Sequence, residues 1–209
     1  MQIKLNSSIY GHEWIVDRIN NAEEDIELII NSDGGSVMSG LQIINAIQQC
    51  KYNVTARIEV LCASVAAVIA LSCDKVQVRA NDLILLHNCW TIVAGNKEQL
   101  GETIDLMGKL DGIMQGYISE HCNDAEAVVA KMNAGDYWLL GDELAPLFNH
   151  CELVERNTNL DDGDKDDSIA ASGSLRELVM LARKAGEAAP QKQEYVMSNE
   201  LKELLSYDE

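Results

Sequence analysis

The chain has 209 residues, 47% of them hydrophobic and 24% charged, with only 2 prolines, enough apolar side chain to enclose one core of ordinary size, which excludes fibres and whole-chain disorder. Its 34 acidic and 16 basic side chains give a formal net charge of -18. Such a charge repels phosphate backbones and anionic lipid, and so argues against nucleic acid or a membrane surface as the primary partner. The strongest apolar run, Leu61 to Leu71, is too short to span a bilayer, and Met1 to Lys4 opens without a charged and then apolar leader. A cytoplasmic location is the expectation.

From the start to about Glu155 short β-rich runs alternate with helical patterns, the mark of an α/β fold with a largely parallel sheet. Ile26 to Ile30 reads as a buried strand. Ser36 to Cys50 then spaces Val37, Leu41, Ile44 and Ile47 as a helix, with Ser36 or Ser39 available as its cap. Val54, Ala56, Ile58 and Val60 alternate with Thr55, Arg57 and Glu59, predicting a strand with the first set buried. Ala63 to Leu71 has no polar face, so it reads as an interior helix. Lys75 to Arg79 and Leu83 to Leu86 are two further strands. Between Lys97 and Cys122 a long helix carries an apolar stripe of Leu100, Ile104, Met107, Leu110, Met114, Tyr117 and His121. A shorter helix is expected over Asp124 to Met132. Residues 1–156 thus form one domain. Residues 157–174, with five aspartates and few apolar side chains, read as a flexible acidic linker, and 175–209 as a short helical tail.

The six cysteines, Cys50, Cys62, Cys73, Cys89, Cys122 and Cys151, contain no CxxC pair and are expected to be reduced thiols. A zinc site from His121, Cys122, His150 and Cys151 is not expected, because adjacent His-Cys pairs seldom aim both side chains at one ion. No metal or other cofactor is implied.

Three features carry possible chemistry. Asn31-Ser32-Asp33-Gly34-Gly35-Ser36-Val37 joins a strand to a helix; it is either a tight turn or a loop whose glycines expose amides to a negatively charged oxygen. Ser64 lies where a strand hands over to the small-residue helix, as a cap or as a presented hydroxyl. His87 ends the Leu83 to Leu86 strand, as a core histidine or as a base. Their joint occurrence matters, since hydroxyl activation needs a base, a carboxylate to orient it, and amides for the oxyanion.

Taken in order, Ile30 to Val37, Ala63-Ser64 and Leu86-His87-Asn88 resemble the proteolytic subunit of Clp protease (ClpP). The likeness covers about residues 26 to 155. It is strongest to the ClpP-related head maturation (prohead) proteases of tailed phages, whose His-Asn-Pro-Trp-Thr stretch followed by Gly-Asn is matched by His87-Asn88-Cys89-Trp90-Thr91 and Gly95-Asn96. The resemblance implies a ClpP/crotonase-like fold of repeated ββα units with a long projecting helix and, for this chain, a C-terminal helical appendage. It implies Ser64 as nucleophile, His87 as general base and Asp136 as the orienting carboxylate, with the Gly35 and Val65 amides as oxyanion hole. Asp142 and Glu143 are alternative carboxylates. It also implies homo-oligomeric rings meeting through the long helix, polypeptide substrates, and phage scaffold or capsid proteins or a Clp-type ATPase as partners, although Met1 to Ile9 leaves little room for the usual ATPase-docking segment. Two departures stand out: Asp33 replaces a proline before the glycines, and Cys89 replaces the proline after His87-Asn88. They leave open a catalytically idle assembly protein. A crotonase-like acyl-CoA enzyme is disfavoured, because it needs no Ser-His pair.

Overall fold

A computed structural model describes residues 1–155 of the chain; the expected linker and helical tail, 157–174 and 175–209, lie outside the described residues. The order is β1 (Gln2–Leu5), α1 (Glu13–Asn20), β2 (Ile26–Ser32), α2 (Val37–Gln49), β3 (Val54–Ala63), α3 (Val65–Leu71), β4 (Lys75–Val78), β5 (Leu83–Leu86), α4 (Lys97–Glu120), α5 (Ala125–Ala134), β6 (Tyr137–Leu140), α6 (Gly141–Leu144), a 3-10 turn (Ala145–Leu147) and β7 (Cys151–Leu153). Seven strands make one sheet in the order β1-β2-β3-β4-β7, with β5 pairing to β3 and β6 to β5. Every pairing is parallel except β5 with β6.

β2 and α3 explain why the sequence folds this way. Ile26, Leu28, Ile29 and Ile30 of β2 are buried, so side chains on both faces of the strand are covered, as in a central parallel strand. All seven residues of α3 are buried as well, which matches a helix without a polar face. α2 begins as its sequence predicts, with the Ser36 side chain accepting from the Ser39 amide.

β3 departs from its period-two pattern at one place. Val54, Ala56 and Ile58 are buried, but Val60 has φ 71° and is 53% exposed. The cause is a bulge at the point where β3 changes partner. Thr55, Ala56 and Arg57 pair with β4, whereas Leu61, Cys62 and Ala63 pair with β5, and the register with β2 shifts over the same stretch. The carboxylate of Asp82, 3% exposed, fills the resulting gap. It accepts from the Val60 amide at 3.0 Å and the Arg79 amide at 2.9 Å, and the Arg79 guanidinium pairs with it at 3.0 Å.

The α4 stripe is also only partly covered. Met114 is buried, Leu100, Met107, Leu110, Tyr117 and His121 are half-buried and Ile104 is exposed; off the stripe, Ile118 is buried and Leu106 and Ile113 are exposed. A helix of this length runs roughly 36 Å, and its two fully buried residues both lie in its C-terminal half. The sequence pattern marks an apolar face; it does not say how far that face is covered. β1, α1, β6 and β7 were not anticipated. The three strands are of three or four residues, too short for a periodic signal.

Candidate active site

The end of β3 delivers Ser64 to the sheet edge. Its amide donates to the Leu85 carbonyl of β5 at 2.9 Å, and its φ and ψ of 59° and -133° form a sharp turn into α3. In this turn the side chain makes no cap hydrogen bond to the helix. The Ser64 hydroxyl instead meets His87, with Oγ 2.8 Å from Nε2. Such a strained strand-to-helix turn holds a hydroxyl clear of its own backbone. β5 supplies the histidine: its last residue is Leu86, and its pairing with the end of β3 fixes the distance between the two side chains.

On the far side of the imidazole, His87 Nδ1 lies 3.3 Å from Asp136 Oδ1. Asp136 follows Gly135, whose φ is 147°, and precedes β6, which is antiparallel to β5 and pairs Tyr137 with Leu86. That register brings Asp136 beside His87. A proton on Nδ1, on the side facing the carboxylate, would leave Nε2 to accept from Ser64. His87 is mostly enclosed at 15% exposed, but Asp136 is open to solvent at 62%. The alternative Glu143 is engaged elsewhere, accepting from the Leu140 amide at 2.7 Å.

The two glycines close the other side. A Cβ on Gly34 would lie 2.5 Å from Ser64 Cβ and 2.7 Å from the Ala63 carbonyl oxygen, and Gly34 has φ 94°. No other residue fits there. Around Gly35, the Ile9 amide donates to the Gly34 carbonyl at 2.7 Å and the Ser36 amide donates to the Ile9 carbonyl at 2.8 Å. Peptide groups alternate sides along extended chain, so the Gly35 N-H faces away from Ile9. Val65 is the first residue of α3, and its amide has no intrahelical acceptor.

Residues that sequence reasoning missed complete the surroundings. Asn88 Nδ2 donates to Asn133 Oδ1 at 2.9 Å, and Gln115 Nε2 donates to Asn88 Oδ1 at 2.8 Å and to Asn133 Oδ1 at 3.1 Å. This network joins the segment after His87 to α4 and to the helix just before Asp136. It left no local signal, because its three members come from separate elements. Ser8, Tyr10 and Ile92 line the cleft, of about 520 Å³, that opens over Ser64 and His87.

Burial makes five of the six cysteines poor nucleophiles. The Cys89 thiol, two residues after His87, is pushed up to about 12 by burial and then by its hydrogen bond to Asp111; its backbone amide also donates to Asp111 at 2.6 Å. Burial likewise raises the thiols of Cys62, Cys73, Cys122 and Cys151. The considered zinc quartet forms a different arrangement: the His121 and His150 rings stack at 4.3 Å, and His150 Nε2 donates to the Leu71 carbonyl at 3.1 Å. Among the described residues, no three His, Cys, Asp or Glu side chains are grouped to hold a metal ion. Also among the described residues, no helix is long and apolar enough to cross a membrane.

A hydroxyl held against an imidazole at the mouth of a cleft, in an α/β fold with a parallel-dominated sheet, suits acyl transfer. Residues 9–145 match the family model described as Clp protease. That match spans well over half of the chain, and by it the protein belongs to the Clp protease family of serine-type peptidases.

Proposed function

We propose that the protein is a serine endopeptidase working through Ser64, His87 and Asp136. What carries this reading is the 2.8 Å approach of Ser64 Oγ to His87 Nε2. His87 removes the hydroxyl proton as Ser64 attacks a peptide carbonyl, and Asp136 holds the imidazole in the accepting tautomer and stabilises the imidazolium that forms. The Gly35 and Val65 amides receive the oxyanion. His87 then donates its proton to the leaving amine, and deprotonates the water that releases the acyl group from Ser64.

We assign the biological role to maturation of a phage head, with capsid or scaffold proteins as substrates. The support is the stretch His87-Asn88-Cys89-Trp90-Thr91 with Gly95-Asn96, which resembles the phage enzymes. A proteolytic subunit of an ATP-dependent Clp protease is the second reading, and the Clp protease family match favours it equally. In both, subunits assemble into homo-oligomeric rings, and the exposed Ile104, Leu106 and Ile113 of α4 are the surface we assign to the meeting of rings.

The test is covalent labelling with a fluorophosphonate, followed by mass spectrometry of the modified residue. Wild type is expected to label at Ser64 and to cleave peptides. Ser64→Ala and His87→Ala are each expected to lose at least about four orders of magnitude in turnover. Retained turnover in either variant overturns the assignment of these residues, and a wild type that neither labels nor cleaves leaves the idle assembly protein.

A further inference from the structure

We propose that the cleft selects a basic residue close to the scissile bond, and that Asp33 is the residue that recognises it. The inference rests on the serine-peptidase reading and adds the substrate class.

Asp33 is held outward by a local lock. Ser32, buried behind it, donates its hydroxyl to the Ser7 carbonyl at 2.7 Å and accepts from the Gly34 amide at 3.2 Å. With the residues on both sides fixed, the exposed side chain of Asp33 borders the same cleft as Ser64, His87 and Gly35. Ser8 Oγ donates to Asp33 Oδ1 at 2.7 Å, which orients the carboxylate and leaves Oδ2 for a ligand.

Among the described residues, no lysine, arginine or histidine forms an ion pair with Asp33. No lysine or arginine lines the cleft either. A peptide lying beside Gly34 and Gly35 is therefore met by a carboxylate with a vacant oxygen. A lysine or arginine there gains a charge-assisted hydrogen bond, whereas an aspartate or glutamate meets repulsion.

The rest of the lining suits the stem of such a side chain. Tyr10 and Trp90 border the cleft and are 70% and 72% exposed, with Ile92 beside them. Lysine and arginine lay their methylenes on apolar surface while the head group reaches a polar partner, and aromatic faces add attraction for the cation. The net charge of -18 also draws basic segments toward the protein as a whole.

A positional-scanning library of fluorogenic peptides tests this on the full-length protein, with fluorophosphonate labelling run alongside. At one position within three residues of the cleaved bond, lysine or arginine is expected to exceed leucine in kcat/KM by about tenfold and glutamate by more. Raising the salt concentration should shrink that preference. Asp33→Asn should reduce it to about twofold, and Asp33→Lys should turn it toward acidic residues. Labelling at Ser64 with cleavage indifferent to basic residues overturns this inference alone. A basic preference unchanged in Asp33→Asn and Asp33→Lys overturns the role of Asp33. A protein that neither labels nor cleaves overturns both this and the peptidase reading.

Discussion

Replacing Asp136 by alanine is a quantitative test, because its exposure sets how much it can contribute. In a site where the carboxylate is buried, losing it costs about four orders of magnitude. Here Asp136 is 62% exposed and its oxygen stands 3.3 Å from Nδ1, longer than a charge-assisted hydrogen bond of about 2.7–2.9 Å. An exposed ion pair contributes about 0.2–1 kcal/mol, and a hydrogen bond to a charged group about 1.5–3 kcal/mol. The two figures describe one contact and bracket it, so the loss is about 1–2 kcal/mol, or roughly 5- to 30-fold in turnover. On the proposed mechanism Ser64→Ala and His87→Ala remove the reacting groups themselves and should cost far more. The assay is kcat on a fluorogenic peptide, with the second-order rate of fluorophosphonate labelling as a readout that does not depend on deacylation. A loss below threefold would show that something else orients the imidazole. A loss as deep as that of His87→Ala would show that water does not screen this carboxylate, and either result refutes the reasoning.

Two further predictions concern the fold. Asp82→Ala leaves the Val60 and Arg79 amides and the Arg79 guanidinium without their acceptor beneath the β3 bulge. It should destabilise the protein by about 2–4 kcal/mol in denaturant titration, and a change under 0.5 kcal/mol would show that the bulge does not need the carboxylate. The second is a pH effect at half-buried His150, whose pKa is lowered by burial first and by the neighbouring His121 second. A lowered folded value means that the unfolded chain takes up the proton first. This histidine's contribution is therefore complete above the unfolded value near 6.5 and is lost as pH falls below it toward the folded value. His150→Gln should flatten the fall in Tm between pH 7 and pH 5; an identical slope in wild type and variant would contradict this.

Much of the fold was legible because burial and period agree over single elements. Ile26 and Leu28 to Ile30, and Val65 to Leu71, are apolar and buried, and Ser36 caps its helix as its residue type predicts. Ser64 and His87 stood out through their places at element ends, and the family resemblance gave their order. Asp136 was less legible, since only the antiparallel register of β6 on β5 brings it to the imidazole.

Tertiary structure alone decided three things. It put the bulge at Val60, because the strand changes neighbour there, and a change of neighbour is invisible to a pattern read along one chain. It left most of the α4 stripe only half-covered, because periodicity says which face is apolar and not what packs on it. It set Tyr10 and Ser8 from the front of the chain beside Asp33 and Trp90, because a cleft is made of residues whose closeness in space comes from sheet pairing and not from spacing in sequence. Local sequence specifies elements through side-chain period and backbone preference; the meeting of distant side chains depends on registers that only the packed sheet selects.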